Sequence, residues 1–261
     1  FAVARESAAR VLIGEDAGVL AEPNDILGVE YCKALLQSDS TIMPLAMERR
    51  AVGHNEGAAG GFASASYIRA LLAGGEDASA FLTAESAAIY ARECAAGRAP
   101  VTMKGAERAM LSRLRMLEEA DFARYDSGGE GLYRRFYAAV RTAASVDELL
   151  GTVKTKRYAY ARLRRMLLAA YLDIAAAELP QEIPYLRVLA CNERGRMLLR
   201  AIKNEGSAPV LTKSADVRSL SEEAQRFFAL SARACDQYVL AYPELRAAKG
   251  GGAWTQGPVI V

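Results

Sequence analysis

Between residues 84 and 241 the chain is a nearly continuous series of amphipathic segments with a 3.6-residue repeat, and this repeat limits the fold more than any other feature. Apolar positions recurring at three and four residues predict helices over 84–95, 104–119, 129–143, 146–151, 157–177, 192–203 and 220–241. Two of them carry legible starts. Ser145 stands before Asp147-Glu148, and Ser221 stands before Glu222-Glu223. A hydroxyl that caps the first turn, followed by acids that complement the helix dipole, is the expected pattern. At most one short strand is expected in this part, near Pro209-Val210-Leu211.

The first 76 residues read differently. Helical periodicity covers 3–13 and 25–37, Ser40–Met47 reads as a strand, and a glycine-rich loop spans Gly53–Gly61 before a helix opening near Ser64. This order suits the second half of an α/β sheet domain. Gly74, Gly75 and Asp77 mark a boundary, giving an α/β domain over 1–76 and an all-α domain over 77–261.

Composition narrows the function classes. The chain has 261 residues, 52% of them hydrophobic and 25% charged, which fits a soluble globular protein. No apolar run approaches the roughly 20 residues needed to span a bilayer, so no membrane partner is expected. Phe1–Arg10 lacks the layout of a signal peptide and reads as a start within a larger domain. Cys32, Cys94, Cys191 and Cys235 form no CxxC pair and read as buried small hydrophobes, which favours a reducing, cytoplasmic setting. His54 is the one histidine of the chain, so sites built on two imidazoles are excluded and no metal site is expected.

The net charge of +2 conceals an uneven distribution. Residues 1–69 hold nine acids against six bases, whereas residues 131–171 hold nine bases against Asp147 and Glu148 alone. A dense basic island points to a polyanionic partner. On a helical wheel, Leu163, Leu167, Ala170 and Ile174 define a core face, with Tyr158, Arg162 and Arg165 roughly opposite. Lys154, Lys156 and Arg157 precede them. Cations near a helix start oppose its dipole, so an anionic ligand is the natural compensation. RNA fits: lysine and arginine bind phosphate, and an exposed tyrosine stacks on an unpaired base. A solvated charged face is the plain alternative.

Three segments in the first domain could hold a nucleotide. Asn24 or Asp25 can cap a helix whose buried face includes Ile26, Val29, Cys32, Leu35 and Leu36, and an amide there could instead bond a nucleotide, with Gly28 allowing close approach. Arg49-Arg50 follows the expected strand, where arginine can clamp phosphate or simply face solvent. Ser64 and Ser66 open a helix with Arg69 one turn later, a phosphate cradle or an ordinary cap.

Pro23-Asn24-Asp25-Ile26-Leu27-Gly28-Val29-Glu30-Tyr31, Ser64-Ala65-Ser66-Tyr67-Ile68-Arg69 and the run from Lys154 to Arg165 together resemble the tRNA(Met) cytidine acetate ligase family of the HIGH-type nucleotidyltransferases. Ile183-Pro184-Tyr185-Leu186-Arg187-Val188-Leu189 and Ala208-Pro209-Val210-Leu211-Thr212-Lys213 extend the resemblance over nearly the whole chain. Ser66 replaces the family's usual threonine, Glu48 stands where a basic residue is common, and Gly53-His54-Asn55 departs from the usual ending.

The resemblance implies the C-terminal half of a Rossmann-like nucleotidyltransferase domain followed by a helical tRNA-binding domain. It implies ATP, as its Mg²⁺ complex, and acetate as substrates, joined as acetyl-adenylate. The acetyl group then passes to N4 of the wobble cytidine of elongator tRNA(Met). Asn24 matches the adenosine-orienting position, Arg49 the triphosphate position with Arg50 beside it, and Ser64, Ser66 and Arg69 the β- and γ-phosphate signature. The HxGH histidines have no counterpart in this sequence, so no catalytic residue is assigned and the chain is expected to be N-terminally incomplete. A non-catalytic helical RNA-binding module with a vestigial nucleotide site is the competing expectation, and a small-molecule adenylyltransferase a third.

Overall fold

The computed structural model describes residues 2–47, 57–126 and 128–261. The chain divides into two compact units, Phe1–Ser64 and Ala65–Val261.

In the first unit, α1 (Ala2–Ile13) leads through a 3₁₀ turn (Gly14–Leu20) to α2 (Pro23–Gln37). Ala17 and Leu20 of the turn are buried, and Arg5 of α1 pairs with Glu30 of α2 at 2.9 Å. A two-residue antiparallel hairpin follows, β1 (Ala58–Ala59) with β2 (Phe62–Ala63). Its turn places Gly60 and Gly61 at φ 57° and 80°, where a Cβ is disfavoured.

Two expectations for this unit fail. Ser40–Met47 is not a strand: it has no pairing partner among the described residues, and Met43 and Leu45 are each 88% exposed. An apolar strand is stable only when neighbours take up its backbone groups and cover its face. The expected buried face of α2 is only half formed. Ile26, Val29 and Leu35 are half-buried, whereas Cys32 and Leu36 are exposed.

The second unit starts with α3 (Ala65–Gly74) and α4 (Ala84–Ala95), the latter capped by Thr83 Oγ1, which accepts from Ser86 N at 3.2 Å. Five helices then surround the main core: α5 (Glu107–Arg115), α6 (Glu119–Tyr125), α7 (Leu132–Thr142), α8 (Val146–Val153) and α9 (Tyr160–Leu172). Leu114, Phe122, Leu132, Phe136, Val140, Leu149, Val153, Leu163 and Leu167 are wholly buried there. Each large side chain removed from water contributes roughly 1.5–3 kcal/mol, so this cluster dominates the stability of the unit. Phe122 and Phe136 stack at a centroid distance of 6.4 Å.

The caps read from sequence form as expected. Ser145 Oγ accepts from Glu148 N at 3.0 Å, and Ser221 Oγ accepts from Ala224 N at 3.3 Å. Two of the expected helices change most. The segment 104–119 breaks after Arg115 and restarts at Glu119, where the Asp121 carboxylate accepts from Glu118 N at 3.0 Å and Leu117 turns into the core. The segment 157–177 shortens to α9, because Thr155–Tyr158 forms a tight turn before it and Asp173 adopts φ 57° after it. Asp173 is held there by the Tyr125 hydroxyl, which donates to Oδ1 at 2.6 Å. Burial, then this bond to the carboxylate, pushes the Tyr125 pKa up to about 12.

Beyond α9 a smaller core forms around Tyr185, Leu211, Val217 and Phe228. Here the single expected strand is joined by others. β3 (Leu186–Arg187) runs parallel to β5 (Val210–Leu211), and β4 (Ala190–Cys191) runs parallel to β6 (Val259–Ile260). Between them lies α10 (Glu193–Glu205), capped by Asn192, and α11 (Glu222–Tyr238) with α12 (Gly252–Thr255) complete the unit. The connection from β3 to β5 contains α10, as a parallel crossover requires. These strands have two residues each, too short for alternation to show in the sequence. The cysteines also differ from expectation: Cys32 and Cys235 are exposed and Cys94 and Cys191 half-buried.

No helix among the described residues is long and apolar enough to cross a membrane. Replacing Phe136 by alanine should destabilise the second unit by about 3–5 kcal/mol, read by chemical denaturation. A loss well under 1 kcal/mol would show that α7 does not anchor this core.

Candidate nucleotide site and basic face

The helix α2 begins two residues earlier than expected. Pro23 occupies its first position and Glu22, in extended conformation, precedes it without a side-chain cap bond. Proline is favoured there because its fixed φ suits the helix and its missing N–H is one that would stay unpaired. The consequence concerns Asn24. It is not the cap, and its exposed side chain makes no hydrogen bond among the described residues. Its amide therefore remains available in the first turn of α2. A Cβ at Gly28 would meet nothing within 4 Å, so packing among the described residues does not require glycine there.

Arg49 and Arg50, with Glu48 and His54, lie outside the described residues. Ser64 is buried, and its N–H donates to Gly57 O at 3.2 Å. In α3, Arg69 Nη2 donates to Ser66 Oγ at 3.2 Å, and both residues are exposed. The Ser66 hydroxyl and the Arg69 guanidinium are thus in mutual contact on one turn of helix.

The basic face is rearranged more deeply. Arg162 is not an exposed cation. Its Nη2 donates to Asp126 Oδ1 at 3.2 Å and its Nη1 to Glu130 Oε2 at 3.0 Å. The Asp126 side chain is only 2% exposed. Arg157 Nη2 reaches the other Glu130 oxygen at 3.1 Å. Gly128 completes the seat, since a Cβ there would lie 1.9 Å from Arg162 Nη2. Tyr158 is likewise buried, at 5% exposure, beneath the Arg162 guanidinium at 5.1 Å, with its hydroxyl donating to Glu130 O at 3.4 Å. The wheel misplaced Tyr158 because it lies in the turn before α9, where helical geometry does not apply.

The exposed aromatic is Tyr160, at 45% exposure, the first residue of α9. Lys154 Nζ lies 5.5 Å and Arg164 Cζ 5.9 Å from its ring centre. Lys154 also donates to Thr155 O at 2.6 Å. Lys156, Arg164 and Arg165 are exposed, and none pairs with a carboxylate among the described residues. Tyr160 and Arg164 were missed by sequence reasoning. Their i,i+4 spacing is visible in the sequence, but only once the helix start is fixed at 160.

Electrostatics support the Arg162 lock. Hydrogen bonds from Arg162, then Arg157, hold the Glu130 carboxyl below its ordinary pKa of 4.5. Burial lowers the Arg162 pKa, but its bonds to Glu130 and Asp126 outweigh this and the net shift is upward.

The model of the family described as HIGH Nucleotidyl Transferase matches residues 1–251, and the chain belongs to that family. Within it, the chain is 34% identical over 230 residues to the tRNA(Met) cytidine acetate ligase of Fervidobacterium nodosum, covering 85% of this chain and 54% of that protein. It is 29% identical over 280 residues to the ligase of the same name from Acetivibrio thermocellus, covering all of this chain and 67% of that one. The apo structure of Thermotoga maritima TmcAL superposes with a TM-score of 0.88 at 25% identity, over 95% of this chain and 62% of that chain. The same protein bound with alpha-thio ATP gives 0.86 at 26% identity, with the same coverage. The chain thus spans between about half and two thirds of the length of these relatives.

Replacing Arg162 by methionine leaves Asp126 buried without its partner and should destabilise the second unit on the order of 3 kcal/mol, measured by urea unfolding. The wild type carries a pH signature of the same lock. A depressed Glu130 means that the folded form binds fewer protons than the unfolded form between the two pKa values. Its contribution is full above about 4.5 and is lost as pH falls through the folded value. An acid limb of equal steepness in wild type and R162M would show that the Arg162–Glu130 bond does not set this dependence.

Proposed function

We propose that the chain carries part of the ATP site and the RNA-binding domain of an ATP-dependent acetate ligase acting on elongator tRNA(Met). The observation that carries this reading is the close superposition, over almost the whole chain, on a protein solved with an ATP analogue. The free amide of Asn24 and the Ser66–Arg69 pair on α3 suit a nucleotide and its phosphates. In this reading Asn24 orients the adenosine portion, Arg49 with Arg50 holds the triphosphate, Arg69 balances charge on the β- and γ-phosphates, and Ser64 and Ser66 contact the same groups through their hydroxyls. Mg²⁺ carried with ATP would supply further positive charge to the phosphates.

The chemistry explains why cations are needed. An acetate oxygen attacks the α-phosphorus while the bond to the β-phosphate oxygen breaks, so two anions meet and pyrophosphate departs. In the second step N4 of the cytidine attacks the acetyl carbonyl, loses a proton and expels AMP. An anticodon base must be unstacked and held for that step. Tyr160, Lys154, Lys156, Arg164 and Arg165 form the surface suited to the RNA, with Arg157 at its margin and Arg162 and Tyr158 beneath it as supports.

We further propose that polypeptide outside this sequence covers the exposed apolar residues Ile42, Met43, Leu45 and Met47 of the first unit and brings the HxGH half of the site. Acetate-dependent AMP formation should therefore be absent from this chain alone and present in a version extended upstream. Absence from both, with tRNA binding retained, would favour the non-catalytic RNA-binding reading.

Replacing Arg165 by glutamine should weaken tRNA binding and lower the slope of log K against log salt by about one, without loss of stability. An unchanged slope would remove Arg165 from the RNA surface.

A further inference from the structure

In the smaller core of the second unit, a cavity of about 170 Å³ lies at the carboxyl ends of the parallel strands β3 and β5. Val188 N donates to Leu211 O at 3.0 Å, and the two strands separate just beyond. The segment Gln256–Val259, which leads into β6, closes another side. Ligands of parallel sheets sit in this position because the diverging strand ends leave a crevice.

The cavity is lined by two cations, Arg187 and Lys213, and among the described residues by no acid. Arg187 is half-buried. Its guanidinium lies 5.3 Å above the Phe228 ring, and Nη2 donates to Ala253 O at 3.3 Å. These contacts fix the side chain, yet they engage only one of its five N–H donors. No carboxylate among the described residues pairs with Arg187 or Lys213. A partly desolvated guanidinium with its fork free is costly unless an anion completes it. Thr212, also in the lining, adds a hydroxyl, whereas the Ser214 hydroxyl is engaged with the Trp254 carbonyl. The cavity has room for one tetrahedral oxyanion.

We propose that this cavity is a phosphate site, with Arg187 as a bidentate clamp and Lys213 as the second charge. The phosphate is either a free phosphate group or a phosphodiester of a polyribonucleotide. The site stands on this cavity and does not rest on the acetate-ligase reading, whose test follows AMP.

The one tryptophan of the chain reports on it. Trp254 packs edge-on against Phe228 at 4.7 Å, and its carbonyl accepts from Ser214. Titration of the full chain with inorganic phosphate, at ionic strength held constant with chloride, should give a saturable Trp254 fluorescence change and a rise in melting temperature. Arg187→Gln should weaken the apparent affinity at least about tenfold. Lys213→Gln, an exposed position whose loss breaks no internal bond, should weaken it several-fold and guards against misfolding of the first variant. A single-stranded oligoribonucleotide separates the sources: its affinity falls in both variants if the phosphate belongs to a polynucleotide, and stays constant if the ligand is free phosphate. The proposal is overturned if neither fluorescence nor melting distinguishes phosphate from chloride, or if Lys213→Gln and Arg187→Gln both retain wild-type phosphate affinity.

Discussion

The seating of Arg162 between Asp126 and Glu130 governs how the basic region is organised. The buried Asp126 carboxylate accepts from Arg162 and from the N–H groups of Gly128 and Tyr133, and removing the arginine leaves its charge without a counter-ion. At residue 128 a Cβ would meet the guanidinium, so a larger residue there would have to displace Arg162 from its seat. The same seating draws Tyr158 beneath the arginine and ties the loop before α7 to the start of α9. The lock removes Arg162 and Tyr158 from the surface and partly neutralises Arg157. What is left facing solvent is a different set: Tyr160 with Lys154, Lys156, Arg164 and Arg165.

Much of the second unit was legible because its helices obey local rules. Ser145 and Ser221 cap where a hydroxyl precedes acids, and Leu163, Leu167 and Ala170 are buried as the wheel places them. What could not be read depends on contacts between distant residues. Nothing near Arg162 in sequence signals Asp126, 36 residues earlier. The start of α9 is similarly hidden, because the helical periodicity expected over 157–177 runs back into the Thr155–Tyr158 turn. A shift of two residues there exchanges Tyr158 for Tyr160 as the exposed ring. The parallel strands β3, β4, β5 and β6 are set by tertiary pairing, and two residues carry no alternation to detect.

The first unit shows the opposite balance. Its helices were legible, but their environment was not. Amphipathic patterning states which residues want burial, not whether a partner for them lies within the same chain. Leu36, Met43 and Leu45 satisfy the pattern and remain exposed. Strand formation over Ser40–Met47 needs backbone partners that the described residues do not offer. The start of α2, by contrast, is set locally. Pro23 sets the start of α2, and Asn24 is thereby kept out of capping and available to a ligand.

The charge distribution gains meaning once pairing is known. Nine bases in residues 131–171 suggested one broad cationic face. Several are structural: Arg141 donates to the carbonyls of Arg115 and Leu117, and Arg135 is directed at those of Thr152 and Val153. Such arginines hold loop and helix ends together and are not free for a polyanion. Arg187 and Lys213, by contrast, lie outside that stretch, yet face a cavity without a counter-charge. Local density of cations in a sequence therefore overstates one surface and overlooks another. The better guide to an anion site is a cation fixed in place whose donors the protein itself leaves unfilled.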